Sequence, residues 1–159
     1  MRICTTAELH NLLHEQNWRL SSAEGQHLNE LHAESGRVCD TLSSQFGEGF
    51  QDVACTQDAS FFADIRIPIS LLVNSSCKWV SIRLSNTKPL ASVCREDCIL
   101  PECLNGINET LESMGYIVIA EKVFLDPNIK SDTQVSAAHG CIAMEPIRND
   151  PWEELFGHW

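Results

Sequence analysis

The fold is decided by residues 79–124, which read WVSIRLSNTKPLASVCREDCILPECLNGINETLESMGYIVIAEKVF. Residues 80–85 alternate apolar and polar side chains, which is the period of a strand buried on one side. The turn-forming residues 86–89 follow, and residues 90–93 return as a second short strand. This half of the stretch therefore predicts an antiparallel hairpin.

The second half of the stretch predicts a helix and a further strand. Pro101 suits the first turn of a helix, and apolar residues then recur every three or four positions up to Met114. Gly115 can adopt the left-handed conformation that ends a helix. Residues 116–120, YIVIA, are strong β-formers, so a strand should follow immediately.

The residues before this stretch predict two helices and another strand. Residues 5–8 match a capping box and start a first helix, and residues 21–46 carry the apolar period of a second helix that Gly36 could interrupt. Residues 61–69 alternate as a strand, and Pro68 favours an edge position or a strand end.

These elements predict one α+β domain over residues 1–159. A helical front spans 5–46, a sheet and helix block spans 61–124, and a loop with a short terminal helix spans 125–159. We expect a mixed, mainly antiparallel sheet of about four strands, covered on one face by about three helices. These are the two N-terminal helices and the helix at 101–114.

Charge is the strongest compositional feature of the chain. Its 22 acidic and 11 basic residues give a formal net charge of −11. Such a surface repels nucleic-acid phosphates and anionic lipid headgroups, and it favours a basic protein partner. The alternative is that the charge serves solubility alone. Because no apolar run has the length of a secretory signal or a membrane span, we expect a cytoplasmic protein.

Cys94, Cys98 and Cys103 form the densest group of potentially reactive side chains. Thiolates near a helix N-terminus could bind zinc or act as nucleophiles. However, their spacing differs from the paired cysteines of zinc sites, no nearby histidine completes the set, and three neighbouring acidic residues disfavour a thiolate. The alternative is that they are buried thiols, and we expect most of the eight cysteines to be reduced.

Four histidines of the N-terminal helices offer a second possible metal site. His10 and His14 are four residues apart, a spacing that lets two imidazoles share a metal, whereas His27 and His32 are five apart. The first pair lacks the glutamate of a metalloprotease helix, so histidines that are solvated or that cap helices are the favoured interpretation.

A third possible site is His139 beside Cys141, which has the residue types of a thiol nucleophile and its base. Neither an oxyanion loop nor a nucleophile elbow accompanies this pair. The sequence also lacks a phosphate-binding glycine loop, and we predict no cofactor.

The last residues predict a short amphipathic helix that begins at Pro151. Its apolar face carries two tryptophans, a residue type that dominates binding hot spots. This face either binds a partner, which could be a second copy of the chain, or packs on its own domain. The residues are Trp152, Leu155, Phe156 and Trp159.

Two functional hypotheses follow, and no known family is identified by these residues. The first is a non-enzymatic interaction protein, such as an inhibitor or immunity-type protein that binds a basic protein. The alternative is a metal-binding or thiol-dependent enzyme that uses Cys94, Cys98, Cys103 and nearby histidines.

Deleting residues 151–159 tests the predicted terminal helix. Because nine residues are too few for a stable isolated helix, its aromatic face needs cover. We expect either a less stable monomer, which indicates packing on its own domain, or loss of a dimer, which indicates a self-association site. Denaturant unfolding and light scattering distinguish the two. Unchanged stability and assembly, with solvent-quenched tryptophan fluorescence before deletion, would contradict the prediction of a covered helix.

Overall fold

The computed structural model describes residues 2–15, 28–53, 62–85 and 89–126 of the chain. Within these ranges it has six strands and four α-helices, which confirms the α+β class with a mixed sheet, although the sequence predicted fewer of both. In chain order the elements are β1 (Arg2–Ile3), α1 (Thr6–Glu15), α2 (Leu28–Phe46), β2 (Gln51–Val53), β3 (Phe62–Arg66), β4 (Ser81–Ser85), β5 (Leu90–Cys94), α3 (Pro101–Ser113), β6 (Ile117–Ile119) and α4 (Glu121–Phe124).

The strands lie in the order β1-β6-β5-β4-β3-β2. Strands β2 to β5 pair antiparallel, so the predicted hairpin of β4 and β5 is confirmed, whereas β5, β6 and β1 pair parallel. The sequence missed β1 and β2 because strands of 2 and 3 residues are too short to show an alternation. Strand β3 lies inside the sheet and ends at Arg66, so Pro68 follows a strand end rather than marking an edge.

Two of the predicted helix boundaries are observed directly. At the start of α1, the Glu8 carboxylate accepts hydrogen bonds from the backbone N–H groups of Cys4 and Thr5, while the Thr5 hydroxyl accepts one from the Glu8 N–H. These contacts form the predicted capping box. At the end of α3, Gly115 has a φ of +93°, the left-handed conformation that the sequence suggested. Helix α2 is continuous through Gly36.

The main core lies between one face of the sheet and the helices α2 and α3. The apolar stripes of both helices, seen in the sequence at intervals of three and four, pack against inward-facing residues of β3, β4, β5 and β6. The fully buried residues of this main core include Val38, Leu42, Ile65, Ile82, Ile107 and Leu111.

Helix α1 packs against the opposite face of the sheet. Its Leu9 and Leu12 cluster with Leu90 and Ile119, and the neighbours of these strand residues point into the main core instead. The prediction that all three helices cover one face is therefore wrong. Because β1 joins the sheet beside β6, the helix that follows β1 packs over the second face, together with the short helix α4.

An ion pair is buried on this second face, in the middle of the sheet. Asp64 of β3 lies directly opposite Arg83 of β4. The Arg83 Nε donates to the Asp64 Oδ1 at 2.7 Å, its Nη2 donates to Oδ2 at 3.2 Å, and the arginine is only 1% exposed. The sequence predicted that β4 is buried on one face only. The opposite face is also buried at Arg83, because a guanidinium that is paired with a carboxylate can be removed from water, whereas an unpaired one cannot.

Breaking this ion pair should destabilise the protein strongly. Asp64→Leu leaves the guanidinium buried without its carboxylate, and arginine cannot lose its charge, so we expect a loss of about 3–5 kcal/mol in the free energy of unfolding. The double variant Asp64→Leu/Arg83→Met should recover most of that loss, since both charges are then replaced by apolar groups. Urea unfolding measures both. Equal stability of the single variant and the native protein would show that the pair is not shielded from water.

Candidate functional site

The loops that follow β5 and β6 meet at one end of the sheet. These two strands are parallel neighbours, with Ser92 beside Ile119, so their carboxyl ends lie side by side. In sheets with parallel strands, this end is where functional groups usually collect. Glu96 follows β5 and Glu121 follows β6, and together with Arg2 of β1 they form what we call the Arg2–Glu96–Glu121 cluster.

Hydrogen bonds tie the cluster together. The backbone N–H of Glu96 donates to the Glu121 Oε2 at 3.2 Å, and the backbone N–H of Glu121 donates to the Glu96 Oε1 at 3.4 Å. Arg2 completes the cluster, because its Nη2 donates to both carboxylate oxygens of Glu96 at 3.2 Å. The two loops are therefore fastened to each other and to β1.

The two carboxylates of this cluster do not have equal environments. Burial raises the pKa of Glu121, and the nearby carboxylates of Glu96 and Asp97 raise it further, although backbone N–H groups of Arg95 and Glu96 act in the opposite direction. A carboxyl group with a raised pKa beside a second carboxylate is also found in acid–base catalysis. Since both carboxylates here accept backbone hydrogen bonds, we assign the cluster a structural role in closing the loops.

Two strained residues lie at this same end of the sheet. Trp79 precedes β4 and Arg95 follows β5, and both have a φ of 59°, although neither is a glycine. The strand ends are adjacent because Ser81 pairs with Cys94, and the Arg95 Nη1 donates to the Lys78 carbonyl at 2.9 Å. A left-handed backbone at a bulky residue costs about 1–3 kcal/mol and is concentrated at functional sites. The strain marks these loops as candidates for function.

The three cysteines predicted as metal ligands are distributed over different parts of the fold. Cys94 is buried and points away from the main core, whereas Cys98 and Cys103 pack against that core. Burial raises the pKa of Cys94 to about 12 and that of Cys98 to about 11, and it also raises the pKa of Cys103. In the part of the chain that the structure describes, no group of three or more potential ligands is arranged to hold a metal ion.

The loops that carry Cys77 and Cys98 meet in the structure, a proximity that the sequence analysis missed. After burial, the neighbouring Cys77 is a further cause of the raised pKa of Cys98. Close by, the backbone N–H of Val73 donates to the Cys98 carbonyl at 2.9 Å. The two cysteines come from separate loops, and no local spacing signals that the loops will meet.

The structure describes only some of the histidines and none of the C-terminal candidate residues. His10 is exposed on α1, and the His32 Nδ1 lies 3.6 Å from the Asp52 Oδ2 at the edge of the sheet. The side chain of His14 is not among those described. His27, the His139 and Cys141 pair, and the apolar face of residues 151–159 lie outside the described residues, so these interpretations stay predictions.

Comparisons of the chain with protein-family models, with curated proteins and with solved structures find no match. Among the helices of the described ranges, none combines the length and the apolar character needed to cross a lipid bilayer. The side chains themselves therefore have to carry any inference about function.

The raised pKa of Glu121 predicts a specific pH dependence. The Glu121 carboxyl group keeps its proton to higher pH in the folded protein than in the unfolded chain, where its pKa is 4.5. The contribution of Glu121 to stability therefore falls as pH rises from 4.5 through the folded pKa, and is constant above it. Glu121→Gln keeps an acceptor oxygen and removes the ionisation, so the variant should gain stability over the native protein as pH rises from 4 to 7.

Urea unfolding at several pH values measures this difference. Glu109→Gln is the matched control, because it removes one negative charge from an exposed side chain of α3 that is not among the causes of the raised pKa of Glu121. A Glu121→Gln variant that loses stability relative to the native protein as pH rises would mean that the fold stabilises the Glu121 carboxylate.

Proposed function

We propose that this protein is a non-enzymatic binding protein whose acidic surface binds a basic protein, in the manner of an inhibitor or immunity protein. The observation that carries the proposal is the distribution of charge over the two helices of the main core. Both helices turn their apolar stripes to the sheet, so their polar sides form one outer layer of the molecule.

The outer layer carries carboxylates with almost no compensating positive charge. Asp40 of α2 and Glu102 and Glu109 of α3 are exposed. Helix α3 contains no lysine or arginine. Helix α2 contains no lysine, and its one arginine is Arg37, whose Nη2 donates to the Glu34 Oε1 at 2.6 Å, so its charge is already paired.

The acidic surface continues beyond the helices to the edge of the sheet. Glu48, in the turn after α2, and Asp52, on β2, are both exposed. Strand β2 is the last strand of the sheet in the described part of the chain. Acidic groups that extend from a helix layer to a sheet edge can face a complementary basic surface, and such pairing accelerates association and selects the partner.

The predicted terminal helix would supply the apolar part of such an interface. Charged rims steer association, whereas aromatic side chains at the centre provide most of the binding free energy. Trp152 and Trp159 are the two tryptophans on the predicted apolar face of that helix. Their contribution remains part of the proposal.

The alternative, a metal-binding or thiol-dependent enzyme, has weaker support. It requires ionised thiols, and burial favours the neutral forms of Cys94, Cys98 and Cys103. Metal analysis of the purified protein separates the two hypotheses, because stoichiometric zinc would favour the alternative.

A charge-reversal experiment tests the acidic surface directly. One variant converts three acidic residues of α2 and α3 to lysine, and the control converts three acidic residues outside the described ranges. Both change the net charge from −11 by the same amount. The helix variant carries Asp40→Lys, Glu102→Lys and Glu109→Lys, and the control carries Asp58→Lys, Asp132→Lys and Glu145→Lys.

Cytochrome c serves as the basic probe protein, and its Kd is measured at several salt concentrations. We expect the helix variant to bind about tenfold more weakly than the control, which corresponds to about 1.4 kcal/mol, and to show a smaller dependence on salt. Circular dichroism checks that both variants remain folded. Equal loss of affinity in the two variants would show that net charge alone determines binding and would contradict a specific acidic surface.

A further inference from the structure

Two large apolar side chains are exposed on the loop that joins β3 to β4. In the part of the chain that the structure describes, the exposed large apolar residues are Ile69, Val73 and Leu125, at 65%, 52% and 55%. Ile69 and Val73 lie on that loop, and the half-buried Leu72 lies between them. We call Ile69, Leu72 and Val73 the Ile69–Val73 patch. Exposed apolar groups that lie together and are bordered by polar residues are typical of interaction sites.

Backbone hydrogen bonds hold the patch in one conformation. The Val73 N–H donates to the Cys98 carbonyl at 2.9 Å, and the Leu100 N–H donates to the Leu71 carbonyl at 3.0 Å. The Leu72 side chain packs against the main core and fixes the middle of the patch from inside. Because the loop is already ordered in the free protein, a partner that binds there loses little free energy to ordering it.

The same backbone contacts join the patch to the acidic surface of α3. Cys98 follows the exposed Asp97, and Leu100 is followed directly by α3, whose first turn carries the exposed Glu102. Lys78 is exposed at the other end of the loop. The patch is therefore bordered by carboxylates on the side next to α3, where it continues into the acidic surface.

We propose that the Ile69–Val73 patch is an apolar contact site for the basic protein that binds the acidic surface. The occupant is an apolar side chain of that partner, with lysine or arginine beside it to face Asp97 and Glu102. This inference rests on the proposed function and adds the kind of residue that the partner must present. Buried apolar groups supply much of the binding free energy of an interface, whereas the charges around them steer association.

Charge argues against a second copy of the chain as the occupant. Two copies that met at their patches would each bring Asp97 and Glu102 to the same interface, and each copy carries a formal net charge of −11. Like charges that face each other across an interface cost free energy and suppress the pairing. A basic partner meets the same carboxylates with the opposite charge, so the surface attracts it and the patch then holds it.

Two short synthetic peptides of equal charge test the proposal. One consists of lysines and leucines, and in the other serine replaces every leucine. Both should bind the native protein at low salt, and the leucine peptide should bind about tenfold more tightly, because burying a leucine side chain is favourable. Fluorescence anisotropy of the labelled peptides measures both Kd values. The methyl NMR signals of Ile69 and Val73 should shift more with the leucine peptide than with the serine peptide.

The double variant Ile69→Ser/Val73→Ser removes the patch. It should bind the two peptides equally, and it should bind the serine peptide as tightly as the native protein does. Leu125→Ser is the matched control, because Leu125 is about as exposed as Val73 but ends α4, which packs on the other face of the sheet. This control should keep the preference for leucine. Circular dichroism checks that both variants remain folded.

Three results would contradict the patch. They are equal binding of the two peptides by the native protein, a preference for leucine that persists in the double variant, and a preference that Leu125→Ser also removes. The acidic surface stands in these cases if the charge-reversed helix variant loses affinity for the serine peptide. If neither peptide binds, or if charge reversal leaves binding of the serine peptide unchanged, the proposed function itself is wrong, and the patch with it.

Two further results would assign the patch to another occupant and so overturn the proposal. A native dimer that becomes a monomer in the double variant, as measured by light scattering, would show that a second copy binds there. Methyl signals of Ile69 and Val73 that shift when residues 151–159 are deleted would show that the chain's own terminal segment covers the patch.

Discussion

The buried ion pair of Asp64 and Arg83 constrains the whole sheet. It lies in a row of paired residues that crosses all six described strands, from Val53 through Asp64, Arg83, Ser92 and Ile119 to Ile3. A slip of one residue between β3 and β4 would turn Arg83 toward the main core and separate it from its carboxylate. The ion pair therefore excludes the wrong registers. Its net contribution to stability is limited by the cost of removing two charges from water.

Internal ion pairing also explains how the chain presents its charge. Arg2, Arg37 and Arg83 each pair with a carboxylate, so these positive charges are occupied inside the protein or close to its surface. Each pair also neutralises one acidic group. Asp40, Glu102 and Glu109 are exposed on the outer sides of α2 and α3. The negative surface of the helix layer follows from where the arginines are placed as well as from the overall composition.

The sequence predicted the parts of the fold that depend on local periodicity. Alternation in β4, the stripe of α3 and the capping box at Thr5 each involve residues within a few positions of one another, and these were confirmed. Strands β1 and β2 were missed because they owe their existence to their neighbours in the sheet. The side on which α1 packs was mispredicted for the same reason, since it depends on where β1 joins the sheet.

The candidate sites were harder to predict because their chemistry depends on contacts between distant segments. Cys94, Cys98 and Cys103 are close in sequence, yet the pleat of β5 turns Cys94 away from the core that holds the other two. The loops that carry Cys77 and Cys98 are far apart in sequence and meet in the fold. The same antiparallel pairing of β4 and β5 that depends on the central register brings their two loops together. The meeting of these two loops is thus a consequence of the sheet, and no local spacing in the sequence signals it.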